Sequence, residues 1–269
     1  LQALFYRLLR FSGFYLNAVT QYQLHSPFVF GLVDAVLEDR RWYYAFRDVE
    51  RIRSKMLESS VALELTDLGT GHSNRRATVR HVARQSGSSM RQGRLLFRLA
   101  NWAAPATMLE FGTSVGLGAM YLASGMRSAR LVTMEGSADC AEVARTNLRI
   151  LDLNNTEVLS GDFSAVLPEA LKRLQNLDLV FFDGNHRPEP TLQYFESCLP
   201  HATDHTVFVF DDAYWSPGMT QAWEQIKQHP RVTLTVDFFD LSLAFINPEF
   251  REQQHFKVVP KAWKPWKVF

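Results

Sequence analysis

From Ala106 to Ile246, short apolar runs alternate with longer stretches of helical period, and this alternation constrains the fold more than any other feature of the 269-residue chain. The runs fall at 107–112, 130–135, 156–160, 177–183, 205–211, 232–238 and 241–247. Apolar runs of this length separated by helical segments read as buried strands of a parallel sheet with helices on both faces. Only Phe239 and Asp240 separate the last two runs. That gap is too short for a crossover helix, so those two strands must pair antiparallel. The expected fold is α/β, with seven strands, mostly parallel.

The ends of the strands carry the chemistry. Thr107–Gly118 is a strand that runs into an acid, Glu110, and closely spaced glycines. Gly112 and Gly116 remove the Cβ atoms that would hold a ligand off the backbone, and the helix they open presents free N–H groups. The dinucleotide fingerprint fails, because Tyr121 stands where a third glycine is required. The phosphate-cradling loop also fails, for want of a lysine between Gly112 and Gly118. The pattern that remains, Glu110-x-Gly112-x-Ser114-x-Gly116, resembles the first motif of class I S-adenosylmethionine-dependent methyltransferases. The resemblance implies a Rossmann-like sheet with S-adenosylmethionine held by Glu110, Gly112, Thr113, Ser114 and Gly116.

The second run, Arg130–Met134, ends at Glu135, about 20 residues past the glycine turn, where a nucleoside-binding α/β fold places a carboxylate for the ribose hydroxyls. Gly136 follows it in the expected cofactor loop. Asp139, Glu142 and Arg145 then lie on an amphipathic helix whose apolar positions suit packing on a sheet, and they read as solvated-face residues. Asp162 and Phe163 close the third strand. By resemblance they border the adenine, although an acid there also suits a plain helix N-cap. A second glycine pattern, Asp67-Leu-Gly-Thr-Gly71, follows a poor candidate for a buried strand and precedes a basic segment. It is rejected as the main cofactor loop and kept as a candidate lid.

Two further strands deliver acids to the carboxyl edge, where open α/β sheets bind ligands. One ends at Asp183 and is followed by Gly184-Asn185-His186; the next ends at Asp211-Asp212 before Tyr214 and Trp215. Converging carboxylates raise one another's pKa unless a cation relieves them, and magnesium, a hard ion, prefers oxygen ligands. Across 106–247 these residues are similar to the catechol and caffeoyl-coenzyme A O-methyltransferase group. That group holds magnesium with an Asp after the fourth strand and an Asp-Asn pair after the fifth, and places a lysine base just after the first Asp. Here Asp212 replaces the asparagine and His186 the lysine.

Histidine titrates near neutrality and can take a hydroxyl proton as a methyl group transfers. Two versions of the site therefore stand side by side. In one, Asp183, Asp211 and Asp212 hold Mg2+ or another divalent cation. In the other there is no metal, and His186 is the base, oriented by Asp211 or Asp212. In both, His186 and Asp183 are the catalytic candidates, and Asp183 also borders the cofactor. The expected activity is O-methylation of a small hydroxylated acceptor, flat and apolar if aromatics such as Phe28, Phe30, Trp42, Tyr43, Tyr214 and Trp215 wall it. Methylation of nitrogen, carbon or a macromolecule is the first alternative, although the N-methylating Asn/Asp-Pro-Pro-Tyr/Phe sequence is absent after the fourth strand. A non-catalytic nucleoside-binding protein is the second.

Composition narrows the partners. Lys and Arg number 29 against 28 Asp and Glu, so no general attraction for nucleic acid is expected. The Val258–Phe269 tail is basic and aromatic, as single-strand binders are, but tails this short more often pack or fray. Cys140 and Cys198 have no metal-ligand spacing and read as buried thiols of a reducing compartment. No apolar run is long enough to span a bilayer, which suggests a cytoplasmic protein. Residues 1–104 form the expected helical cap or lid, with 105–269 as the cofactor domain. The apolar face of Leu4, Phe5, Leu8, Leu9, Phe11 and Phe14 suits packing on that domain, and is also a candidate homodimer contact or membrane-surface face.

Overall fold

The computed structural model describes residues 2–67, 73–85 and 88–266, and it divides into two compact units, 1–40 with 180–269 and 41–179. Two helices, the long α1 (Gln2–Asn17) and the short α2 (Pro27–Leu32), precede α3 (Tyr44–Glu58). Next come an antiparallel hairpin of β1 (Ala62–Asp67) and β2 (Ser73–Thr78), and helices α4 (Val79–Gln85) and α5 (Met90–Ala103). The α/β succession follows: β3 (Thr107–Phe111), α6 (Leu117–Gly125), β4 (Arg130–Glu135), α7 (Ala138–Ile150), β5 (Thr156–Ser160), α8 (Phe163–Leu174) and β6 (Leu177–Phe182). It continues with α9 (Pro188–Cys198), β7 (Ala202–Asp211), α10 (Pro217–Lys227), β8 (Leu234–Asp237), β9 (Leu241–Phe245) and β10 (Gln254–Lys257).

The main sheet has the order β10-β8-β9-β7-β6-β3-β4-β5. The β3–β4, β4–β5 and β8–β10 pairs are parallel, while β9 is antiparallel to both β7 and β8. The sheet therefore contains eight strands rather than seven. The extra one, β10, is a short edge strand of sequence Gln-His-Phe-Lys, and no apolar run marks it. The order departs from β3 in both directions, which puts the loop after β3 at the topological switch point used for ligands in open α/β sheets. At the other end of β3, Asp178 Oδ2 accepts the Ala106 and Thr107 N–H groups at 2.8 and 3.0 Å.

Within 41–179 the strands bury Met108, Leu109, Phe111, Leu131, Val132 and Met134, all essentially without solvent contact. Helices α5 and α6 press close together at glycines. A Cβ on Gly93 would meet the Tyr121 ring at 2.1 Å, and one on Gly125 would meet Phe97 O at 2.5 Å. In the other unit Phe182 stacks on Phe210, and Phe195 packs edge-on against Phe208.

Helix α1 buries only part of the face expected of it. Phe14 is buried and Phe11 packs edge-on against Phe239, but Phe5, Leu8 and Leu9 are 65, 57 and 56% exposed. A helix apolar around most of its circumference can turn only one stripe inward. The tail beyond β10 packs: Val258 and Val259 are buried, Lys264 Nζ donates to Ala18 O at 2.7 Å, and Tyr15 OH donates to Trp263 O at 2.7 Å. Lys267 and Phe269 lie outside the described residues. Among the described residues no helix is long and apolar enough to cross a membrane.

Candidate active site

The glycine-turn groups lie within 41–179. Strand β3 ends in a turn whose residues adopt positive φ in succession: Gly112 at 96°, Ser114 at 50° and Gly116 at 92°. The turn is tied to the next strand by Gly112 N–H and Thr113 N–H, which donate to Met134 O at 3.0 and 3.1 Å. Gly116 is the N-cap of α6, and a Cβ there would lie 3.2 Å from the Cα and Cβ of Ala144. Glycine is thus required by both conformation and space.

Glu135 stands at the end of β4 and is drawn into this turn. Its Oε2 accepts the Ser114 N–H at 2.6 Å and its Oε1 the Ser137 N–H at 2.9 Å, with the Gly136 N–H adding a third backbone bond. Burial nevertheless raises its pKa above the ordinary glutamate value, the backbone donors opposing the rise. A carboxylate has about four acceptor sites. Three are used, which leaves capacity for a ligand hydroxyl.

Glu110 is fully buried beside Thr133, its register partner on β4. Thr133 donates to its Oε2 at 2.6 Å and is itself 2.6 Å from the Thr113 hydroxyl. Among the described residues the Glu110 Oε1 has no hydrogen-bond partner, and the buried Ser114 Oγ has none either. Burial lifts the Glu110 pKa to about 8, with Glu135 raising it further and the Thr133 hydroxyl opposing. Thr133 was not anticipated, although a hydroxyl in the otherwise apolar run Arg130–Met134 is the signal that marks it.

Asp162 caps α8: its Oδ1 accepts the Ser164 N–H at 2.9 Å and the Ser164 hydroxyl. Phe163 lies edge-on to Phe111, ring centres 5.8 Å apart. Asp139 is also more than a solvated-face residue. Its Oδ2 accepts the Glu64 N–H of β1 at 2.6 Å, and the Ser137 hydroxyl donates to Glu64 O at 3.1 Å. The hairpin is thereby fastened to the loop that follows Glu135. Of the second glycine pattern in that hairpin, residues 68–71 lie outside the described residues.

The acids and His186 lie in the other unit. Asp183 follows β6, Asp211 ends β7, and the two side chains are hydrogen-bonded to each other. Burial first, then the charges of Asp183 and Asp212, push the Asp211 pKa well above the ordinary aspartate value. Asp212, in the left-handed region at φ 52°, turns elsewhere. Its Oδ1 is 3.7 Å from the Arg7 guanidinium and its Oδ2 is 4.0 Å from His186 Nδ1. His186 follows Asn185, which also has positive φ at 61°, and its side chain is 39% exposed. Tyr214 is a core residue, bonded to buried Asp237 and stacked on Phe239, rather than an acceptor wall. Trp215 and Phe30 remain half-exposed, while Phe28 packs on Phe245 and Phe250. Trp42 and Tyr43, in the unit 41–179, pack on Phe46.

The magnesium version of the site would rest on Asp183, Asp211 and Asp212. Two of the three carboxylates are bonded to each other, and the third faces Arg7 and His186. Among the described residues no group of three or more His, Cys, Asp or Glu side chains is placed to hold a metal ion.

A family model described as a methyltransferase domain matches residues 109–213. Those residues are a class I methyltransferase domain. Around this domain the chain is 33% identical over 142 residues to a transmembrane O-methyltransferase homolog of Rattus norvegicus, covering 51% of this chain and 54% of that protein. It is 32% identical over 133 residues to a catechol O-methyltransferase of Mycobacterium tuberculosis, covering 49% of this chain and 59% of the relative. The matches thus span little more than half of these curated relatives. An O-methyltransferase from Bacillus cereus, solved in complex with SAH, superimposes with a TM-score of 0.54 at 22% identity, over 80% of this chain and 95% of that one. At that identity the likeness is one of fold.

Proposed function

We propose that the chain binds S-adenosylmethionine at the β3–α6 turn and transfers its methyl group to the hydroxyl of a small acceptor. The observation that carries the reading is Glu135, whose carboxylate is gripped by the Ser114 N–H of the glycine turn and keeps acceptor capacity for a ribose. The orphaned Glu110 Oε1 adds support, because a cationic ligand group would satisfy a buried carboxyl that has no partner there. Gly136, Asp162 and Phe163 complete the cofactor set in this reading.

Bound S-adenosylmethionine supplies an electrophilic methyl on a sulfonium. Transfer is an in-line displacement, so the chain has to position the acceptor and remove its proton. His186 takes the hydroxyl proton as the acceptor oxygen bonds to the methyl carbon and the sulfur leaves as a thioether. Asp212 holds the imidazole, and Asp183 with Asp211 forms the adjoining acidic floor. The acceptor is of the hydroxylated kind that the relatives' names imply, and reaction requires no further cofactor in this scheme.

Two measurements test the reading together. Glu135→Ala should weaken calorimetric affinity for S-adenosylhomocysteine by about tenfold, the loss of a hydrogen-bonded charged group. Unchanged affinity would remove the cofactor assignment. His186→Ala should lower turnover by about a hundredfold or more while leaving that affinity in place. Retained turnover would take His186 out of the reaction, and a pure binding module would tolerate alanine at Asp183, His186, Asp211 and Asp212 alike.

A further inference from the structure

Clustered carboxylates favour a cation among them, and in this chain helix α1 brings one. The Arg7 guanidinium is 3.7 Å from Asp212 Oδ1 and 4.0 Å from Asp240 Oδ1, in the turn between β8 and β9. Its Cζ also lies 5.9 Å from the centre of the Phe239 ring in the same turn. The side chain is one-third exposed, and its two acid partners are about four-fifths buried. Asp212 thus faces a nitrogen group at each oxygen, the Arg7 guanidinium at Oδ1 and the His186 imidazole at Oδ2. The remaining two acids are held by the hydrogen bond between Asp183 and Asp211.

We propose that Arg7 is the resident cation of the acidic site, a positioning residue that occupies the electrostatic place of a divalent metal and keeps Asp212 beside His186. The role assigned to His186 rests on the methyltransferase reading, but the charge arrangement does not. Guanidinium is planar and permanently charged, so unlike a metal ion it cannot be lost by chelation or competition. One guanidinium facing two carboxylates from separate loops offsets part of their charge without the octahedral shell that magnesium demands.

The test is a Mn2+ titration followed by electron paramagnetic resonance on the full chain, compared among wild type, Arg7→Gln and Arg7→Lys. Wild type and Arg7→Lys should bind Mn2+ weakly. Arg7→Gln should bind it at least about tenfold more tightly, because the acids lose their counter-charge. Adding Asp212→Asn to Arg7→Gln should cancel the gain, which a merely structural role for Arg7 would not produce. Stoichiometric Mn2+ binding by wild type, displaced by Mg2+, would overturn the proposal, as would an Arg7→Gln protein that binds no better than wild type. Circular dichroism confirms that the variants are folded, and Arg7→Lys, which keeps the charge, reports even if Arg7→Gln is destabilised. A protein that shows this metal pattern without methyl transfer would sink the proposed function and leave the Arg7 assignment standing.

Discussion

Glu110 shows what burial does to a single side chain. In the folded chain its carboxyl holds a proton up to about pH 8, whereas in the unfolded chain it releases it near 4.5. Between those values the folded state binds the extra proton, so raising the pH favours unfolding, by about 1.4 kcal/mol per pH unit for one whole proton. The effect begins above the unfolded value and saturates once both states have released it. Glu110→Gln, which cannot ionise, should therefore gain stability over wild type as pH rises from about 5 to about 8. Urea unfolding at the two ends of that window measures the difference. A constant gap would mean that Glu110 is already charged in the fold. The same property couples to the proposed cofactor, since a cationic ligand beside Glu110 should expel the proton. Calorimetry in buffers of different ionisation enthalpy should then show proton release on binding near neutrality. Glu135 was legible from its spacing to the glycine turn, because chain geometry fixes how far the next strand end lies. Arg7 was not, because nothing in a helix's periodicity names an ion-pair partner more than 200 positions away.

At the scale of elements, the strands were legible where burial is continuous: β3, β4, β6 and β7 are apolar runs whose side chains have nowhere to go but a covered sheet. Strand β10 escaped notice because one short edge strand needs no apolar run, only backbone pairing with β8. The β1–β2 hairpin was not legible, since Leu63 is buried while Glu64 and Arg76 form an exposed ion pair and no apolar run marks either strand. The close glycine contacts of α5 and α6 were invisible in the sequence, because a glycine inside a helix does not announce what approaches it. Gly93→Ala should destabilise the fold by about 1–3 kcal/mol as the new methyl overpacks against Tyr121. Thermal melting checks this, and an unchanged midpoint would show that the Tyr121 ring can step aside. Gly116→Ala tests the turn itself. A left-handed alanine costs about 1–2 kcal/mol before its contact with Ala144 is counted, and S-adenosylhomocysteine affinity should fall with stability.

For the whole molecule, the proposed cofactor contacts and the proposed base sit in different units, 41–179 and 1–40 with 180–269, so each half can be interrogated by itself. A ligand that binds only the folded chain stabilises it by RT ln(1 + [L]/Kd), about 2.7 kcal/mol at a hundredfold excess over Kd. That stabilisation should not be uniform, because exchange protection rises most where a ligand closes local openings. With S-adenosylhomocysteine bound, amide hydrogen exchange should slow most in the Gly112–Leu117 turn and around Glu135–Ser137. The exposed α1 surface of Leu8 and Leu9 should change little. The turn is the sensitive reporter, since Ser114 holds a positive φ rare for a non-glycine residue and its ties to β4 are two backbone bonds and one carboxylate. Protection that bypassed residues 112–117 and appeared elsewhere would place the ligand away from the switch point and refute the assignment even if affinity were high.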